Sequence, residues 1–380
     1  MGSGFSICAT GDVSFYGSHS DTPLIEVFSS VTPVFKNSDL SVINLENPLI
    51  TCDSGHPVQG KCTLRGTLGW ADILKETGIN LVSLANNHMM DYGEDGLFST
   101  IAALEEAGLP FTGAGKNRNE ANKPLFMNLN GHNVAVIARS SVVVASRCYA
   151  GEQEPGVAFL DLTETVNTII ECKKQSDCVI VIVHWGIEQY EYPTPEQRSM
   201  AKKLVQAGAD IILGHHPHVL QGIETYDGSL ICYSMGNFLF DEFNWSFINR
   251  EGKPHQSQFK LSENNRKSGL TVINSSENKH TYRFIPTLIT NDGIIKLDKS
   301  QRRLTAFKKL CLRLNSPAYD FIWKLYSLQM EWKIRVKPVM GGDLTWSRIK
   351  KIRPSHFKQL FLTLKRSLKI TSEKSTNPYE

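Results

Sequence analysis

Ile211-Ile212-Leu213-Gly214-His215-His216-Pro217-His218 is the stretch that decides the fold. An apolar run of strand length opens there into three histidines within four residues, which serves little structural purpose unless the strand end is a site. The same design recurs upstream. Val179 to Val183 ends in His184, Leu81 to Ala85 leads to Asn87 and His88, Leu40 to Asn44 leads to Glu46, and Ser6 to Ala9 leads to Asp12. A further strand pattern lies at Val134 to Ala138. Helical patterns alternate with these runs at Leu24 to Lys36, Trp70 to Thr77, Gly93 to Ala107, Leu162 to Lys174 and Pro195 to Ala207. The alternation predicts a layered α/β fold. Open α/β sheets bind ligands outside the carboxyl ends of their strands, where these polar residues fall.

Asn130-Gly131 and Tyr226-Asp227-Gly228-Ser229 predict hairpin turns, the first between Leu125 to Leu129 and Asn133 to Ala138, the second between Gln221 to Thr225 and Leu230 to Ser234. Asn249 to Ser268 is polar and reads as a long loop before two more strands, Leu270 to Ile273 and Tyr282 to Ile289. The layered domain is read as residues 1–300. Residues 301–380 read as a basic, mainly helical extension, with helices at Thr305 to Leu314, Tyr319 to Lys333 and His356 to Ile370.

The 380 residues are 41% hydrophobic and 21% charged, which excludes a disordered chain. No apolar run reaches the roughly 18 to 20 residues of a spanning helix, and Met1 to Ile7 has no basic region followed by an apolar core. A cytoplasmic protein is therefore expected, either free or peripheral at the inner membrane face. Eight cysteines are scattered without a Cys-x-x-Cys pair, so reduced thiols are expected, Cys52 and Cys62 included. The net charge of +3 hides an asymmetry: residues 301–380 hold 18 Lys+Arg against 5 Asp+Glu. Such a tail suits either an anionic neighbour or a solvated face. In its last helix Phe357, Leu360, Phe361, Leu364 and Leu368 share a face, with Lys358, Lys365, Arg366 and Lys369 mostly off it. That stripe packs on the sandwich or enters an anionic lipid interface. No specific nucleic-acid partner is expected.

Two carboxylates, an amide oxygen and several imidazoles converging on one sheet edge make a mixed N/O donor set suited to Zn, Mn or Fe. The segments that carry it also carry a resemblance. Gly11-Asp12, Asn44-Leu45-Glu46, Ala85-Asn86-Asn87-His88 with Asp91-Tyr92-Gly93, His184-Trp185-Gly186 with Glu188, Gly214 to Gln221 and Tyr233 to Phe238 resemble the CapA/PgsA family of poly-γ-glutamate capsule synthesis proteins, in order over residues 5–290. That family in turn resembles the calcineurin-like metallophosphoesterases. The resemblance implies a four-layered α/β/β/α sandwich holding one or two divalent metal ions. By position it implies Asp12, Glu46, Asn87, His184, His216 and His218 as ligands and His88 as the unligated imidazole that acts on the leaving group. His215 is expected outside the ligand set. Two positions depart from the phosphoesterase pattern: Val13-Ser14 follows Asp12 where Asp-x-His is usual, and Glu46 replaces a bridging aspartate.

Glu188 is read either as a substrate contact or as a solvated glutamate, and Trp185 and Asn237 are expected to contact substrate. Asp91 either orients His88 or caps the helix at Gly93, with capping favoured. The function expected is metal-dependent hydrolysis or transfer at a phosphate ester or amide-like bond of an anionic small molecule or polymer. The alternative is a non-enzymatic accessory protein that binds polyglutamate or another anionic polymer.

Overall fold

The computed structural model describes residues 4–15, 24–51, 56–58, 61–142, 148–248, 253–276 and 279–333. Described residues up to Leu312 form one compact unit, and the helix Tyr319–Glu331 lies in a second.

Two sheets make the centre of the first unit. In one, the strands run Ile295–Leu297, Lys279–Ile289, Lys267–Ser276, Phe5–Val13, Leu40–Leu45, Leu81–Ser83 and Phe111–Thr112, with Asn237–Leu239 paired to the end of Phe5–Val13. From Phe5–Val13 to Phe111–Thr112 the pairing is parallel. In the other, the order is Ile223–Tyr226, Ser229–Cys232, Ile211–His215, Cys178–His184, His132–Ser140 and Leu125–Leu129, parallel in its four middle strands. Both predicted hairpins form its edges. Their turns hold Asn130 (φ 51°), Gly131 (φ 88°), Asp227 (φ 49°) and Gly228 (φ 80°), the left-handed pairs such turns require.

Side-chain alternation sorts the layers. Cys8, Ile43, Leu45 and Val82 pack with Phe35, Trp70, Leu74, Leu97 and Leu104 of the flanking helices. Ile7, Ala9, Val42 and Leu81, pointing the other way, meet Val134, Val136, Ala138, Ile180, Ile182 and Leu213 of the second sheet. Ile169 and Cys172 of the helix Leu162–Lys173 and Ala201 and Leu204 of Pro195–Gln206 are buried in the fourth layer. Both helices are capped at their starts, by Asp161 accepting from the Glu164 amide and by a Thr194–Gln197 capping box. The result is the expected α/β/β/α sandwich, with the parallel strands of both sheets ending at the residues singled out above.

Two expectations are corrected. Leu24 to Lys36 is not one helix but a 3-10 turn, Leu24–Phe28, and a short helix, Thr32–Lys36, because Pro33 in its first turn can only begin a helix. The polar segment Asn249 to Ser268 is not a loop throughout: Pro254–Phe259 pairs with Phe243–Ile248, and Lys267 already starts the next strand. Phe243 and Phe259 stack across that ribbon with centroids 5.3 Å apart, so an aromatic pair anchors Pro254–Phe259, a strand otherwise too polar to be legible. The helix Gln301–Leu314, placed by sequence in the extension, stacks Phe307 on Phe284 with centroids 3.6 Å apart. The amphipathic segment His356 to Ile370 lies outside the described residues, as does Cys52; Cys62 is a free thiol. Among the described residues, no helix is long and apolar enough to cross a membrane.

Candidate metal centre

Asp12 stands at the end of its strand, fully buried, in register with Asn44 and Asn237. Its Oδ1 accepts from Asn44 Nδ2 at 2.8 Å and its Oδ2 from the His216 amide at 3.1 Å. The Asn44 amide also lies 3.4 Å from His184 Nδ1, and His184 Nε2 lies 2.7 Å from Asn87 Oδ1. His218 presents Nδ1 to Asn237 Oδ1 at 2.8 Å, which turns Nε2 toward Glu46. His216 and His218 both have positive φ, 95° and 58°, so the histidine loop is held in left-handed backbone that non-glycine residues seldom adopt.

Glu46 is the centre of this arrangement. Both its oxygens are buried and accept no hydrogen bond from any described residue. His184 Nε2 and His218 Nε2 stand 3.5 and 3.6 Å from its Oε1. Burial, reinforced by the charges of Asp12, Glu188 and Asp91, pushes its carboxyl well above the ordinary range. His184 and His216 are pushed the opposite way, well below the ordinary imidazole value, first by burial and then by neighbouring imidazoles. One buried acid driven toward neutrality among imidazoles driven toward neutrality is what a donor set looks like before a cation compensates it. Donor atoms of Glu46, His184 and His216 lie within 4.8 Å of one another, as do those of Asp12, Glu46 and His218. This chemistry fits a divalent metal.

His88 sits beside the donor set with its side chain 15% exposed. Its Nδ1 is 2.7 Å from Asp91 Oδ2, which leaves Nε2 as the free ring nitrogen. Burial lowers its pKa, opposed by the Asp91 carboxylate. The favoured capping role of Asp91 is therefore corrected. The helix Gly93–Glu106 begins after Tyr92 with no side-chain cap, and Asp91 instead holds His88, the Leu64 amide at 2.6 Å and Lys61 Nζ. Lys61 also donates to the Asn87 carbonyl oxygen at 2.8 Å.

Not every expected residue reaches the site. Trp185 is corrected to a core residue: it is buried, donates Nε1–H to the Tyr233 carbonyl oxygen at 3.1 Å and stacks on the Tyr233 ring. Asn237 is fully buried and orients His218, a role that replaces its expected contact with substrate. His215 donates Nε2–H to the Thr10 carbonyl oxygen at 3.0 Å, outside the donor groups. Asn44 and Lys61 were missed. Asn44 had a signal in its place at the end of an apolar strand; Lys61, in a polar segment of irregular pattern, had none.

Gly11 makes the approach of the Asp12 strand possible, because a Cβ there would lie 1.9 Å from the Gly236 carbonyl oxygen, whose partner is the Asp12 amide at 2.8 Å. Gly11→Ala is expected to cost about 1–3 kcal/mol, as overpacking does. Thermal unfolding would then show a drop of several degrees, with metal uptake falling alongside it.

The chain is thus a two-sheet α/β/β/α sandwich that gathers carboxylate, amide and imidazole side chains at its strand ends. The family model described as bacterial capsule synthesis protein PGA_cap matches residues 6–242, and the chain belongs to that family. It is 38% identical over 222 residues to the capsule biosynthesis protein CapA of Bacillus anthracis, covering 57% of this chain and 54% of that one. It is 36% identical over 218 residues to the PGA biosynthesis protein CapA of Bacillus subtilis, covering 57% of each. The chain thus spans about half the length of the curated relatives it matches. A solved structure, the NAD nucleotidase of Haemophilus influenzae, is similar with a TM-score of 0.45 at 14% identity, over 80% of this chain and 61% of that one.

Proposed function

We propose that this chain is a metal-dependent hydrolase or transferase acting on a phosphate ester or amide-like bond of an anionic substrate, in the synthesis of poly-γ-glutamate or a related polymer. The observation that carries this reading is the buried Glu46 carboxylate, without a hydrogen-bond partner among the described residues, set among the His184, His216 and His218 imidazoles. Asp12, Glu46, Asn87, His184, His216 and His218 would hold one or two divalent ions of Mn, Zn or Fe. When bound, such ions polarise anionic oxygens and lower the pKa of water. The chain's own residues do the rest. Asn44 ties Asp12 to His184, so that ligands from the two sheets move as one body. Asn237 fixes the His218 tautomer, as partners of ligating histidines do. His88, with Nδ1 held by Asp91, delivers a proton from Nε2 to the departing oxygen or nitrogen.

The test is a panel of phosphate monoesters, phosphodiesters and γ-glutamyl amides assayed with Mn²⁺ or Zn²⁺. Turnover that requires both metal and His216 is the expected result. Metal-dependent binding of polyglutamate without turnover of any member, unaffected by His88→Ala, would instead establish an accessory binding protein.

A further inference from the structure

Glu188 lies on an exposed loop, yet its carboxylate comes within 4.8 Å of donor nitrogens on both His216 and His218. Several contacts make that approach a built feature of the fold. The Gln189 amide donates to the Pro217 carbonyl oxygen at 2.8 Å, so the loop that carries Glu188 is tied to the backbone between the two histidines. Asn265, buried, bridges the same two loops by donating to Gln189 Oε1 at 3.0 Å and to the His218 carbonyl oxygen at 2.9 Å. Gln189 is itself held at φ 66°, and Gly186 at φ 96°, where a Cβ would meet the Gln197 side chain at 2.5 Å. A loop clamped and bent in this way presents Glu188 to the histidines from the solvent side.

A second observation points from the histidines outward. His216 is 4% exposed and its Nδ1 meets no hydrogen-bond partner among the described residues. An unpaired buried ring nitrogen costs free energy unless something else satisfies it. The Glu188 charge is also felt inside the site, where it is one cause of the raised Glu46 pKa.

We propose that Glu188 is a further metal ligand, completing a Glu188, His216 and His218 set on the solvent side of the centre. Two imidazoles and one carboxylate are a recurrent donor combination for Zn and Fe. The proposal rests on the metal-dependent reading above and adds to it a third carboxylate. Because that carboxylate comes from the loop after Cys178–His184, the centre is closed by a segment whose place depends on Asn265.

The experiment is titration of the full-length, metal-stripped chain with Mn²⁺ alone, followed by calorimetry and by the electron paramagnetic resonance of bound ion. Glu188→Gln is expected to weaken Mn²⁺ binding at least about tenfold at one site, since even partners of ligands contribute that much. Glu188→Asp, one methylene shorter, should fall between it and the unaltered chain. The melting temperature without metal should change by no more than a degree or so in either variant, because Glu188 is exposed and is only a minor cause of the Glu46 shift. If Glu188→Gln binds Mn²⁺ as the unaltered chain does, Glu188 is no ligand and only this inference fails. An unaltered chain that binds no Mn²⁺ overturns both this inference and the metal-dependent function beneath it.

Discussion

Glu46→Gln is expected to raise the melting temperature of the metal-free protein and to abolish tight binding of divalent metal. The two effects have opposite signs for one reason. Without metal the buried carboxylate has no hydrogen-bond partner among the described residues, and a neutral amide of the same shape removes a charge that the fold does not compensate. A gain of about 1–3 kcal/mol corresponds to that penalty. With metal the order reverses. Ligand held at a hundredfold its dissociation constant adds about 2.7 kcal/mol to the unaltered chain and nothing to a variant that does not bind. Thermal unfolding with and without Mn²⁺ shows the crossing. Absence of a crossing, with both proteins equally stable in both conditions, would remove Glu46 from the centre.

The pH dependence of the metal-free comparison follows from the direction of the Glu46 shift. Its folded-state pKa is raised above the unfolded value, first by burial and then by Asp12. A raised carboxyl pKa favours the folded state fully below the ordinary carboxylate range, and that advantage is lost as pH rises through the elevated folded value. The advantage of Glu46→Gln should therefore widen with rising pH across this window and level off above it. The lowered His184 and His216 values act in the other direction, costing stability as pH falls below the ordinary imidazole range. They are present in both proteins, so to first order the difference isolates Glu46.

His88→Ala should lower turnover about 10²–10⁴-fold, the usual contribution of a positioned acid or base. Metal content and substrate affinity should be unchanged, because His88 is in none of the donor groups. Asp91→Asn should lower turnover less, by loosening the 2.7 Å contact that sets the ring, and should perturb the Lys61 segment as well. Steady-state kinetics separate these outcomes: a loss confined to kcat fits the proposed role, whereas a loss confined to KM makes His88 a binding residue.

What the sequence determined by itself was the layered fold and the five strand ends. Alternating β-branched runs reveal strands because side-chain direction is a local property with a period of two, and a polar residue just past such a run has no apolar layer to join. The places of Asp12, Glu46, Asn87, His184, His216 and His218 at or just past strand ends were legible on that ground. Turn chemistry was equally local, and Asn130-Gly131 and Asp227-Gly228 lie where left-handed backbone is needed.

Only the tertiary structure decided which partners hold those residues. Asn44 reaches across 140 positions to His184, Lys61 crosses 26 to the Asn87 carbonyl, and Asn265 crosses 47 to the His218 carbonyl. No local pattern encodes such bonds, because each becomes available only when two separately built elements are brought side by side. The same reason explains the corrections. Asp91 has a helix start one residue beyond its neighbour but a better acceptor's task at His88, and Trp185 follows His184 in sequence but turns into the core, where the Tyr233 carbonyl takes its indole N–H. Glu188 is the converse case: solvent-exposed in its own loop, it comes close to the imidazoles because the Gln189 and Asn265 hydrogen bonds hold that loop against the histidine turn.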